Sequence, residues 1–198
     1  HATDLAAVVH NGIIENFREL RAELAAEGRV FASETDSEAI VHLLTRFLEQ
    51  GLAPLEAVQK TLARLEGAFA LAIAFAGQPG LLAAARRGSP LALGFGAGEM
   101  FIGSDALALA PLTRKIIYIE DGDFALVRAS GAEVFDQAGR PVERPVRETA
   151  LTGAGVGKGG YPHYMLKEIY EQPQVIGDTL ASFIAPATRE VTLPSLAV

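Results

Sequence analysis

Apolar residues fall first at helical and then at strand spacing along this chain, and the change of period divides it. Leu5-Ala6-Ala7-Val8-Val9 is a short, valine-containing apolar run of the kind that forms a buried strand. Phe17, Leu20 and Leu24 then recur at helical spacing, with Arg18, Glu19, Arg21 and Glu23 on the other face. That pattern predicts an amphipathic helix from about Glu15 to Glu27, closed by Gly28. Val30-Phe31-Ala32 is a short extended run. Thr35 reads as an N-cap with Glu38 completing a capping box, opening a helix with Ile40, Val41, Leu44, Phe47 and Leu48 on one stripe. It ends near Gly51. A third helix starts at Pro54, a residue suited to a first turn, and buries Leu55, Val58, Leu62 and Leu65 before Gly67.

Beyond Gly67 the runs shorten. Phe69 to Phe75, Leu81 to Arg86, Leu91 to Phe95, Met100 to Ile102, Ile116 to Ile119, Phe124 to Arg128 and Glu133 to Phe135 read as strands. Turn signals such as Gln78-Pro79-Gly80, Gly88-Ser89-Pro90 and Asp121-Gly122-Asp123 separate them. Ser104 reads as the cap of one helical turn through Ala106-Leu107-Ala108. Helices followed by hairpin-linked strands imply an α+β fold with largely antiparallel sheet. From Arg140 to Gly160 the chain turns irregular, and Gly153 to Gly160 has the composition of a flexible linker. Pro162 starts a last helix, about His163 to Glu171, bounded by Pro173, with a further helical stretch from Val175 to Phe183. Its apolar positions Met165, Leu166, Ile169 and Tyr170 call for a surface outside the strand core.

Composition narrows the function classes. The 198 residues carry a formal charge of −7 with no basic block, which argues against nucleic acid as a partner. Cysteine is absent, which removes disulfides and cysteine-ligated metals and fits a reducing, cytoplasmic setting. The apolar run Ala68 to Ala76 is too short to span a bilayer, so no membrane partner is expected. Gly155-Val-Gly157-Lys-Gly159-Gly160 has the letters of a dinucleotide loop but no strand ahead of it, and it fails the phosphate-loop pattern after Lys158. There is no nucleophile elbow and no metal-ligand spacing.

Two places can carry chemistry. Asn11-Gly12 follows the first strand run, and the dipeptide readily takes positive φ, so the strand is expected to stop there in a sharp turn. In isolation this is a hairpin-type turn. A side-chain amide beside a glycine N–H is also the donor pair of an oxyanion hole. Asp36 sits in the first turn of a helix, where a carboxylate interacts favourably with the helix dipole, or where it could receive a substrate ammonium group. His10 reads as a structural or supporting residue beside Asn11, and His42 as a packed or half-exposed one.

Val8-Val9-His10-Asn11-Gly12-Ile13-Ile14-Glu15-Asn16-Phe17 and Ser33-Glu34-Thr35-Asp36-Ser37-Glu38 together resemble the glutaminase domains of the glutamine–fructose-6-phosphate aminotransferase family. Leu82 to Leu91 and Ile102 to Leu109 agree with this. His163-Tyr-Met-Leu-Lys-Glu-Ile-Tyr-Glu-Gln-Pro173 is similar to the connector between the glutaminase and sugar-isomerase domains of that family.

The resemblance implies a four-layer αββα N-terminal-nucleophile fold with two antiparallel sheets, here without its N-terminal part. It divides the chain into a partial glutaminase domain (1–139), a linker (140–160) and a connector leading toward the sugar-isomerase region (161–198). In the family an N-terminal cysteine attacks the glutamine side-chain amide, and ammonia passes to the sugar domain. By position, the Asn11 side chain and the Gly12 N–H would form the oxyanion hole. Asp36 would bind the substrate α-ammonium, and Gly12 would contact the substrate as well. The resemblance implies glutamine as substrate, a sugar-isomerase domain as partner and neither cofactor nor metal; it leaves homodimerisation open. The cysteine and the carboxylate-clamping arginine loop belong upstream of His1, so the chain as given is expected to be inactive. A glutaminase domain serving another acceptor and a non-catalytic binding or assembly domain of the same fold remain the alternatives.

Overall fold

The structure, a computed structural model, describes residues 1–149, 157–181, 183–184 and 191. Strand β1 (Ala6–Ile14) buries Ala6, Val8 and Ile14 against helices and leaves Val9 and Ile13 exposed on its other face. Helices α1 (Phe17–Ala26), α2 (Asp36–Glu49) and α3 (Pro54–Leu62) follow, each close to its expected span. Leu20 and Leu24 of α1, Ile40 and Leu44 of α2 and Val58 of α3 join the buried residues of β1 in one core. Gly28 and Gly51 end α1 and α2 at φ 93° and 83°. In each case the next residue reaches back a turn, Arg29 N–H to Leu24 O and Leu52 N–H to Phe47 O, satisfying carbonyls the helix leaves open. The run Val30 to Ala32 forms no strand.

Asn11-Gly12 is not a turn. β1 runs straight through it, with Asn11 opposite Ala70 and Gly12 opposite Phe69 of β2 (Gly67–Phe75). Gly12 still uses its freedom, at φ 128°, and a Cβ there would lie 2.1 Å from the Ala68 carbonyl oxygen. Only glycine lets the two strands approach that closely. Positive φ was legible; the turn was not, because pairing with β2 keeps the chain extended.

The remaining strands are β3 (Leu82–Arg87), β4 (Ala92–Phe95), β5 (Met100–Gly103), β6 (Lys115–Tyr118), β7 (Phe124–Arg128), β8 (Gly131–Phe135), β9 (Pro141–Val142) and β10 (Arg147–Glu148). The last two lie in the stretch read as irregular. They form two antiparallel sheets, ordered β1-β2-β3-β7-β8-β9 and β10-β6-β4-β5. Ala70, Ala84, Ala125 and Val127 of the first pack on Leu93 and Ile117 of the second. Helix α4 (Ala106–Leu109) covers the far face, where Ala106 and Leu109 meet Ala92 and Ile116. Its cap is Asp105, which accepts from Ala108 N–H, rather than Ser104. The order is helices, sheet, sheet, helix: the αββα arrangement with two antiparallel sheets.

A second compact unit begins at Val156. Its helix α5 (Tyr164–Ala181) runs unbroken past Pro173, where two segments were expected. Proline forfeits one helical hydrogen bond, and the turns on either side continue the helix around it. Tyr161 stacks on Tyr170, and Lys167 donates to the Gly157 carbonyl. No residue of α5 is buried; Met165, Ile169 and Tyr170 are exposed. The glycine-rich segment from Gly153 lies outside the described residues as far as position 156.

Candidate functional site

Asp36 is the first residue of α2, and one of its oxygens accepts from the backbone N–H of Ile14 at 2.9 Å. That bond ties the start of α2 to the end of β1, 22 residues earlier in the chain. The other oxygen receives a long hydrogen bond from Ser37 Oγ at 3.5 Å and lies 3.6 Å from His10 Nδ1. Asp36 keeps 22% of its side chain exposed, so the carboxylate is held by the protein yet open on one side.

The loop ahead of α2 is fixed by Glu38. Thr35 is the N-cap, with extended backbone, but its side chain makes no capping bond. Its hydroxyl instead pairs with Ser33 Oγ and His1 Nε2. Glu38 does not complete a capping box with Thr35. Its buried carboxylate receives the Ala32 and Ser33 N–H groups and the Ser33 hydroxyl at 2.6–2.7 Å. Burial pushes the Glu38 carboxyl up, but these three donors outweigh it and hold the group below the usual carboxylate range. His42, one turn on, packs edge-on against Phe31 and lies 3.7 Å from Glu38. Burial keeps its ring below the ordinary histidine value, although Glu38 favours the charged form. Arg21 closes the loop from outside, bonding the Ser33 carbonyl and lying over Phe31.

His10 faces α2 from β1, with 2% of its side chain exposed. Nδ1 is 2.9 Å from Ser37 Oγ, and Nε2 is buried without a partner. Burial disfavours the imidazolium more than Asp36 favours it, so the ring titrates below its ordinary value. Asn11, next in the strand, is exposed, and its side-chain amide has no hydrogen-bond partner among the described residues.

The sequence-predicted residues are thus partly gathered. Asp36 meets β1 through Ile14 and His10. Strand alternation turns Asn11 to the opposite face, and no hydrogen bond joins Asp36 to Asn11 or Gly12 among the described residues. β1 ends its sheet, and on its outer side only the Ala2–Ala7 bridge is present among them. The amide and the carboxylate therefore flank one strand edge, open from Val9 until Asp36 takes the Ile14 N–H. Ser37 is the member that periodicity did not find; its only sequence signal was its place after Asp36. A hollow of about 570 Å³ lies elsewhere, at the far ends of α1 and α2. Its Arg29 and Arg46 are already paired with Glu49 and with Glu23 and Glu27, so the chemistry points to β1 rather than to that hollow. Among the described residues no cluster of three His, Asp or Glu is placed to hold a metal, and no helix is long and apolar enough to cross a membrane.

A family model of the glutamine amidotransferase domain matches residues 1–111. Glutamine–fructose-6-phosphate aminotransferase (isomerizing) of Brucella abortus is 53% identical over all 198 residues, which correspond to 33% of that protein. The protein of the same name from Gluconobacter oxydans is 50% identical over 99% of this chain and 32% of its own length. The chain therefore spans about a third of these relatives. Among solved structures, glutamine phosphoribosylpyrophosphate amidotransferase of B. subtilis superposes with a TM-score of 0.56, at 24% identity, over 67% of this chain and 29% of that one. A class-II glutamine aminotransferase domain protein from Silicibacter pomeroyi gives 0.51 at 21% identity, over 70% of this chain and 69% of that one. These two likenesses speak to the fold alone.

Proposed function

The chain belongs to the glutamine amidotransferase domain family, and from that premise we propose that it is part of the glutaminase half of an enzyme that hydrolyses glutamine and delivers ammonia to fructose 6-phosphate, forming glucosamine 6-phosphate. The observation that carries the reading is the pair flanking the β1 edge: the free amide of Asn11 on one side and the anchored, part-exposed carboxylate of Asp36 on the other. The likeness of this chain to a third of aminotransferases of that name supports the acceptor sugar.

In this reading Asn11 Nδ2 and the Gly12 N–H stabilise the oxyanion formed when a thiolate attacks the glutamine amide. The thiolate comes from outside these 198 residues, which contain no cysteine. Asp36 binds the α-ammonium of glutamine through the carboxylate oxygen that Ile14 does not use. The exposed apolar face of α5 serves as the connector to a sugar-isomerase domain of the same polypeptide.

Two substitutions in the protein expressed from its full open reading frame test the assignment. Asn11→Ala removes a donor that acts where charge develops, so kcat falls by about 10²–10³ with little change in glutamine KM. Asp36→Asn keeps an acceptor for Ile14 N–H and loses only the charge, so KM rises roughly ten- to a hundredfold. A lowered melting temperature with unchanged KM would reduce Asp36 to a helix-end residue and displace the site.

A further inference from the structure

His10 has no part in the chemistry just described, yet its ring is buried against the start of α2 with one nitrogen unpartnered. The bond directions around it can be worked out. Nε2 is buried without a partner, and a buried N–H lacking an acceptor costs more than a bare lone pair, so Nδ1 donates to Ser37 Oγ and the Ser37 proton is left for the long 3.5 Å contact to Asp36. Nδ1 therefore carries the ring proton and Nε2 is a bare lone pair, an assignment that follows from the network. The chain of donors runs one way, from His10 through Ser37 to the oxygen of Asp36 that Ile14 leaves open.

We propose that His10 is the positioning residue of the ammonium subsite: its neutral ring holds Ser37, and through it Asp36, while its protonation sets a cation against that carboxylate and closes the subsite to a substrate ammonium. The proposal rests on Asp36 being that subsite. Asp36 is the charged group that α2 presents to the ring. Glu38 and His42, further along α2, face the 32–33 loop instead, and the residue opposite His10 on β2 is the uncharged Leu71. His1, the nearest segment on the outer edge, binds Thr35. An imidazolium 3.6 Å from Asp36 competes directly with an arriving ammonium for the same oxygen. Glutamine KM therefore rises as pH falls through the His10 titration, while kcat follows whatever controls the nucleophile.

The test has two arms. In the 198-residue chain labelled with ¹⁵N at histidine, His10 shows the Nδ1–H tautomer when neutral and titrates below its ordinary value. Asp36→Asn removes the carboxylate that favours the charged ring and moves the titration lower still. A titration unmoved by Asp36→Asn, or an Nε2–H tautomer, overturns the proposal. In the protein from its full open reading frame, glutamine KM rises as pH is lowered through the His10 titration followed in the first arm, and His10→Gln, which cannot protonate, flattens that rise. If His10→Gln does not fold, Ser37→Ala replaces it: breaking the link raises KM several-fold at neutral pH with kcat nearly unchanged. Glutamine hydrolysis with an unaltered KM profile in His10→Gln, or an unaltered KM in Ser37→Ala, overturns the proposal and leaves the glutaminase reading standing. An inactive wild type removes the glutaminase reading, and the ring arm alone then decides whether His10 governs Asp36.

Discussion

Asp36 and Glu38 stand two positions apart on one helix turn and do different work, because their side chains leave the helix in different directions. Asp36 reaches β1 and remains part-exposed. Glu38 is 4% exposed and saturated by three donors from the preceding loop. Removing the Glu38 carboxylate strands those donors, two of them backbone amides with no alternative acceptor in the network described. Glu38→Ala should therefore cost about 2–4 kcal/mol in urea unfolding, well above an ordinary helix-surface substitution. A loss under about 0.5 kcal/mol would mean that water replaces the carboxylate without penalty.

At the scale of elements, the seam between β1, the loop from Arg29 to Thr35 and α2 holds two histidines whose rings titrate below 6.5. Burial is the larger cause in both. Between the folded and unfolded titrations the unfolded chain binds more protons, so stability rises with pH across that window and is lost as pH falls below 6.5. Glu23, held down to about 2 by hydrogen bonds first from Arg64 and then from Arg46, does not titrate in this range. Its own contribution fades only as pH falls from 4.5 toward 2. The melting temperature should therefore be lower near pH 5.5 than near pH 7.5, and replacing His10 and His42 together by glutamine should remove most of the difference. An equal drop in the double variant would place the acid sensitivity elsewhere.

At the scale of the whole molecule the decisive fact is chemical. In the glutaminase reading proposed above the attacking group is a thiolate, and the 198 residues hold no cysteine. Purified, mass-verified chain of this length should release no ammonia from glutamine. Steady release would show that another nucleophile operates and that the Asn11 and Asp36 roles need a different mechanism.

Periodicity marked the helices and most strands of the first 135 residues, because a helix or strand half-buried against one core must repeat its apolar positions at 3.6 or 2. It did not give the full length of β1, and the run at 30–32 forms no strand. Leu20 with Leu24, and the run from Phe69 to Phe75, carried that signal, and the glycines at 28 and 51 marked helix ends that local backbone preference dictates. Tertiary structure decided what local chemistry left open. Asn11-Gly12 can turn or extend, and pairing with β2 chose extension. Thr35 and Glu38 have the spacing of a capping box, but three donors of the preceding loop claimed the carboxylate. His10, Ser37 and Asp36 lie on elements separated by a helix and a loop. No local pattern can pair them; only the packing of α2 on β1 brings the ring to the carboxylate.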